Sequence, residues 1–242
     1  MISIICGLFK GTGRGLPHSV DIYSPEWVDK LYRGLKRNIT IDWELFCLVD
    51  ENYNFKEPVK PIPFLDPTSP GWSLLAEFYR PDITTNRRMT IGLDTIICSN
   101  IDDILSFSLD IGLVSDPMSG IGMIKKDEVC NAISIVSDKT AAYIWDIWTN
   151  QKEWILRECT LPPWNTPSEL AMMRKLFNAD GKVPRIDIGF PDRIHSYKMH
   201  IMKDPILLKT TSIVYFHGIP KIHQLHNKSF NIELLKNWEG MK

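Results

Sequence analysis

The sequence predicts an α/β fold in which a mixed, mainly parallel sheet is flanked by helices, closed as a single domain over residues 1–242. Short apolar runs rich in β-branched residues, at Ile2–Phe9, Glu44–Val49, Ile91–Cys98 and Thr211–Phe216, read as buried strands. Between them lie helix starts marked by a capping residue followed by proline or an acid. The second half alternates strand and helix less cleanly than a doubly wound fold does, which favours a mixed sheet. A chain of 242 residues buries a substantial core as one domain.

The first strand, Ile2 to Phe9, runs into Lys10-Gly11-Thr12-Gly13-Arg14-Gly15. Closely spaced glycines beside two cations suit a phosphate cradle, and equally a plain loop, since neither G-x-G-x-x-G nor the P-loop ending is present. Ser24-Pro25-Glu26 opens a helix whose Trp27, Leu31 and Leu35 share one face. The strand Glu44–Val49 then delivers Asp50 to its C-terminal end, where open α/β sheets place their ligands. A proline-rich loop from Pro58 to Pro70 leads through Gly71-Trp72 into a short helix ending near Tyr79.

Ile91–Cys98 reads as a buried parallel strand with Asp94 set into it, followed by a turn and a short helix from Asp102. Gly112–Ile124 suggests irregular strands, and Cys130–Val136 is a further strand. Ser137-Asp138 caps a helix through Trp145 and Trp148, and Thr166-Pro167 repeats the cap-and-proline start for a helix through Leu170, Met173 and Phe177. The last strand ends in His217-Gly218-Ile219-Pro220-Lys221.

Composition narrows the function classes. A formal charge of −1 gives no global basic field for nucleic acid. Five cysteines without CxxC spacing, mostly in apolar runs, indicate reduced core thiols and argue against zinc. The N-terminus lacks the charge and length of a signal peptide, and no apolar run reaches spanning length, so a soluble, cytoplasmic protein is expected. The chain has no G-x-S-x-G, no catalytic cysteine signature and no zinc spacing among His195, His200, His223 and His226. Trp145, Trp148, Trp154 and Trp164 fit a core stripe better than a stacking platform.

Asp94 demands an explanation, because a buried carboxylate needs a cation, a charge partner or dense hydrogen bonding. Alone it reads as salt-bridged or capping, and His217 alone as a hydrogen-bonded core histidine. Together they offer an acid and an imidazole at two apolar strand ends. A divalent cation carrying substrate phosphates takes only one or two protein carboxylates, and manganese accepts an added imidazole better than magnesium. Gly218 and Pro220 turn the chain so that Lys221 either meets a phosphate as a point charge or lies in solvent.

In this order, the motifs resemble the GT-A class of nucleotide-sugar glycosyltransferases, above all bacterial and viral members with a late Phe-His-Gly-x-Pro-Lys motif. The resemblance spans most of the chain: the first strand and loop, the helix from Tyr23, Leu48-Val49-Asp50, Gly71-Trp72, Gly92-Leu93-Asp94-Thr95, Cys130-Asn131-Ala132, Ser196-Tyr197-Lys198 and Phe216 to Lys221. It implies a nucleotide-binding half, 1–110, and an acceptor and metal-completing half, 111–242. Gly7, Lys10, Asp50, Gly92, Leu93, Asp94, Gly218 and Lys221 would bind the donor. Asp94 and His217 would hold Mn2+ or Mg2+, with Asn131 facing the donor sugar and Lys221 and Glu169 in the reaction. There are departures: Gly92 replaces the first acid of Asp-x-Asp, Ser168-Glu169 replaces an Asp-Gln pair, and Trp72 is followed by Ser73-Leu74-Leu75 instead of completing a Trp-Trp-x-Lys pattern.

The implied activity is transfer of a sugar, from a UDP-sugar, to an acceptor hydroxyl; by resemblance the late histidine and lysine motif leans towards retention of configuration, with inversion left open. The acceptor is a saccharide, a lipid-linked sugar, a protein or, through the viral resemblance, a modified base of phage DNA in the host cytoplasm. In the last case Arg87, Arg88, Lys125, Lys126, Arg185 and Arg193 would track phosphates. The alternatives are a catalytically weak nucleotide-sugar binding module, which the loss of the acid at Gly92 favours, and a nucleotidyltransferase.

Overall fold

The computed structural model describes residues 1–11, 15–16, 21–163, 165–225 and 229–239. In chain order the strands are β1 (Ile2–Leu8), β2 (Trp43–Val49), β3 (Lys60–Pro63), β4 (Arg88–Ile91), β5 (Thr95–Ile97), β6 (Ile111–Ser115), β7 (Val129–Val136), β8 (Thr160–Leu161), β9 (Thr166–Pro167), β10 (Ile194–Ser196) and β11 (Ile213–Tyr215). The helices are α1 (Pro25–Asn38), α2 (Asp102–Ser106), α3 (Asp138–Asn150), α4 (Lys152–Glu158), α5 (Glu169–Phe177), α6 (Ile186–Gly189) and α7 (Ser229–Glu239), with a 3-10 helix over Ser73–Tyr79.

The main sheet has the order β3-β2-β1-β4-β7-β6. Its first four strands are parallel, Cys6 lying beside Cys47, while β7 runs antiparallel to both β4 and β6. This is the mixed, mainly parallel α/β sheet expected from the sequence.

Alternation along β1 distributes the core to the two faces of the sheet. Ile4, Cys6 and Leu8 pack with Val28, Leu31 and Leu35 of α1, whereas Ile5 joins Leu74, Tyr79, Ile144, Trp148 and Met172 on the other face. A third cluster joins Trp27, Ile96, Val214, Phe216 and Leu234 around a smaller sheet of order β10-β11-β5. Trp145 and Trp154 pack against the second cluster as core residues. All five cysteines are free.

Three local expectations need correction. Ile91–Cys98 is not one strand: after Gly92 N–H donates to the Ala132 carbonyl (3.2 Å), the chain leaves the main sheet, and β5 pairs antiparallel with β11 in the smaller one. Asp94 therefore lies in the turn between two sheets. Helix α5 begins after Ser168, whose hydroxyl accepts from Leu170 N–H (3.1 Å), because Pro167 already sits in β9 with its carbonyl accepting from Trp72 N–H (3.0 Å). Arg88 is wholly buried, donating to the carbonyls of Phe78, Arg80 and Thr84, so it cannot belong to a phosphate-tracking face. Arg193 likewise pairs with Asp103 (2.9 Å), and Arg185 donates to the Gly181 and Glu128 carbonyls (both 3.2 Å).

Leu35 is fully buried where α1 meets the main sheet. Leu35→Ala should lower unfolding free energy by about 2–5 kcal/mol, the usual cost of removing a core leucine and leaving a cavity. Urea denaturation followed by circular dichroism measures the loss, and an unchanged midpoint would contradict the packing described.

Candidate active site

The C-terminal end of β1, the turn after β4 and the chain following β11 enclose a cavity of about 570 Å³. Gly7 opens it because a side chain there would meet the Phe78 ring: a Cβ would sit 3.0 Å from the nearest ring carbon. Asp94 arrives at the cavity from the seam between the sheets, where its carbonyl accepts from Phe216 N–H (3.0 Å). That bond sets Asp94 beside the segment carrying His217 and Lys221. Gly218, at φ +63°, takes the left-handed backbone that lets the segment turn back towards the cavity.

Asp94 Oδ2 is bound twice. It accepts from the Tyr23 hydroxyl (2.9 Å) and from the Lys221 ammonium, and the Asp94 and Lys221 side chains are only 15% and 12% exposed. Burial, followed by the charge on Asp94, drives the Tyr23 phenol well above its ordinary value, so it stays a hydrogen donor. His217 Nε2 contacts Ser196 Oγ at 2.9 Å. Burial first, and the neighbouring Lys198 second, lower the His217 pKa, so the ring is neutral at pH 7.

A second carboxyl faces the same cavity. Glu169, the first residue of α5, is 2% exposed, accepts from the Tyr79 hydroxyl (2.6 Å) and is bonded to the Asn131 amide. Burial pushes its pKa up to about 7, against the two hydrogen bonds, which pull it down. The cavity wall also carries Trp72, Leu75, Phe78, Leu161 and Leu170.

The cavity thus unites Gly7, Gly92, Leu93, Asp94, Asn131, Glu169, His217, Gly218 and Lys221, which the sequence reading had assigned from distant segments. Lys10 and Asp50 are not part of its lining. Asp50 Oδ2 instead accepts from Lys10 N–H (2.9 Å), and the Lys10 ammonium pairs with Glu51 (2.8 Å), so both shape the loop at the end of β1. Thr12, Gly13 and Arg14 of that loop lie outside the described residues, as do Trp164 and His226. Sequence reasoning missed the part played by Tyr23 and Tyr79. Both hydroxyls are assigned by contacts distant in the chain, and no local spacing announces them. His195 is a satisfied core histidine, its Nδ1 2.9 Å from Thr211 Oγ1.

The overall architecture is shared with solved glycosyltransferases. LgtC, in a complex with donor and acceptor sugar analogs, superposes with a TM-score of 0.60 at 9% identity, over 98% of this chain and 95% of that one. An active-site mutant of LgtC gives a TM-score of 0.65 at 9% identity with the same coverage. Apo GlyE of Streptococcus pneumoniae TIGR4 matches at a TM-score of 0.60 and 11% identity, over 98% of this chain. The chain spans 61% of that GlyE structure. The fold is the one these solved glycosyltransferases share. No protein-family model matches the chain, and no curated protein matches it in sequence.

The expected shared cation fits this donor set poorly. Asp94 and His217 do reach one cavity, but Asp94 is already neutralised by Lys221, Gly92 adds no acid, and His217 stands beside a lysine. Among the described residues, no group of three metal-ligating side chains forms. A resident divalent ion on Asp94 would have to displace the Lys221 ammonium.

The raised pKa of Glu169 links to stability with a definite sign. The folded state holds this proton more tightly than the unfolded chain, so the group's contribution is complete below its ordinary value of 4.5 and is lost as pH rises through about 7. Glu169→Gln should therefore flatten the fall in melting temperature between about pH 5 and 8. Differential scanning calorimetry across that range checks it, and parallel curves for the two proteins would refute the assignment.

Proposed function

We propose that this protein is a glycosyltransferase that moves a sugar from a nucleoside diphosphate donor, with a UDP-sugar the first candidate, to an acceptor hydroxyl. The observation that carries the reading is the Lys221 ammonium, buried on Asp94 at the cavity mouth of β5 and β11 within a GT-A fold. Transfer breaks the bond between the anomeric carbon and the diphosphate oxygen, and the electron pair leaves with the diphosphate. An ammonium held largely out of solvent on Asp94 stabilises that growing charge better than it would in bulk water.

Asn131 faces the donor sugar in this reading, and Glu169 accepts the proton of the incoming hydroxyl. A carboxyl with a pKa near 7 suits that task, because it is ionised in a large fraction of molecules and still basic enough to take a proton. The transfer rate should accordingly rise with pH through about 7. A saccharide is the acceptor favoured here over a DNA base, since Arg88 is buried and Arg185 and Arg193 are committed within the fold. The five free thiols fit a reducing compartment such as the cytoplasm, and no helix among the described residues is long and apolar enough to cross a membrane.

One observation favours a second reading. With Gly92 in place of an acid, the cavity suits a module that binds nucleotide sugars without transferring them. Slow release of free sugar from the donor separates the two, because binding alone does not assist the leaving group.

A thermal-shift panel of nucleoside diphosphate sugars tests the proposal, since a ligand of the folded state raises the melting temperature. Lys221→Ala should lower kcat for donor cleavage by about 100-fold and change donor affinity less, as expected for a charge most needed in the transition state. Unchanged kcat at saturating donor would remove Lys221 from the chemistry.

A further inference from the structure

We infer that Lys221 stands in for the divalent cation, so that its ammonium, seated on Asp94 beside Tyr23, receives the donor's diphosphate and transfer needs no metal. This rests on the reading of the cavity as the donor site. Three independent features of the site support it.

The first is occupancy of the carboxylate. Asp94 Oδ2 takes both the Lys221 ammonium and the Tyr23 hydroxyl, and the pair is largely withdrawn from solvent. A buried ion pair that keeps its hydrogen bonds resists disruption, because removing one partner strands the other charge. Any metal approaching Asp94 would have to break such a pair and then lie close to the displaced ammonium.

The second is steric. A Cβ at Gly92 would lie 3.0 Å from Asp94 Oδ1. The Asp94 carboxylate is folded over the position from which a second acid would emerge. Glycine permits this orientation, and the orientation leaves little room for the paired acids that would hold a doubly charged ion.

The third is the engagement of the imidazole. His217 Nε2 lies 2.9 Å from Ser196 Oγ, so the ring nitrogen that an ion would need already has a partner within the fold. An ammonium binds phosphate oxygens as a compact point charge with three donors, which meets the chemical need with no coordination geometry. Asp94 then acts as a positioning residue that holds Lys221 towards the cavity. As the anomeric bond breaks, the electron pair goes to the diphosphate oxygen, Lys221 keeps its protons, and the acceptor oxygen bonds to the anomeric carbon as its proton passes to Glu169.

The test measures binding of UDP, GDP, ADP, CDP and TDP to the full chain by calorimetry, in EDTA and in excess manganese, with release of nucleotide from the cognate sugar donor as a second readout. The expected result is a diphosphate that binds the wild type equally in both conditions, with turnover unaffected by EDTA. Lys221→Met should weaken that binding by about 10- to 100-fold in EDTA, as befits loss of a charge-assisted contact. Manganese should restore part of it, because Asp94 has then lost its ammonium and can take an ion. Lys221→Arg, which keeps the charge, should retain metal-free binding and shows that a weakened Lys221→Met is not merely misfolded. Wild-type binding or turnover that collapses in EDTA and returns with manganese overturns the inference while leaving the glycosyltransferase reading intact. Failure of every nucleotide to bind in either condition overturns the donor-site reading and this inference with it.

Discussion

The seam between the two sheets is the constraint on which the cavity depends. Main-sheet pairing ends when Gly92 N–H reaches the Ala132 carbonyl, and three residues later β5 begins pairing with β11 in another sheet. Asp94 occupies that change of partner, and its carbonyl is the acceptor for Phe216 N–H. A single short turn therefore fixes, through backbone bonds, the distance between the strand carrying the acid and the segment carrying His217 and Lys221. Backbone bonds of this kind are nearly obligatory in a buried setting, which makes the juxtaposition rigid.

Much of the framework was legible because its signals are local. The Ser24-Pro25 start of α1, the Ser137 cap of α3 and the continuous apolar runs of β1, β2 and β7 each reveal themselves within a few residues. The division of Ile91–Cys98 between two sheets was not legible, since hydropathy reports that a strand is buried and not which neighbour it pairs with. For the same reason α5 was placed too early: Thr166-Pro167 has the composition of a helix start, but its backbone is engaged by Trp72 and by the pairing of β9 with β8. Arg88 shows the limit for charge. In sequence it is half of a basic pair, yet inside the protein its two terminal nitrogens donate to three carbonyls around the 3-10 helix.

The site residues divide in a similar way. Asp94, His217 and Lys221 stood out because polar groups at the ends of apolar runs are costly without partners. Their joint presence at one cavity was expected, but the partner of Asp94 was not fixed by that argument, which accepts a metal, an ammonium or hydrogen bonds alike. Only tertiary geometry selects Lys221 and Tyr23. Glu169 was noticed as a departure in a motif, whereas its raised pKa comes from burial beneath Tyr79 and Asn131, residues separated from it by long stretches of chain.

The charged side chains of the cavity nearly balance one another. Asp94 and Lys221 cancel each other, His217 is uncharged at neutral pH, and Glu169 is divided between its two protonation states. Burial of uncompensated charge would be expensive, so such a cavity exists without heavy cost to folding. The balance changes when an anion enters. In the proposed donor complex a diphosphate would share the ammonium with Asp94, and the carboxylate, still held by the Tyr23 hydroxyl, need not be stranded. In the proposed reaction, phosphate charge would increase further as the leaving group departs, so the attraction to Lys221 would strengthen along the reaction coordinate rather than being spent at binding. An arrangement that is balanced in charge on its own and polarised by an entering anion would reconcile a stable, largely apolar pocket with the charge separation of the proposed sugar transfer.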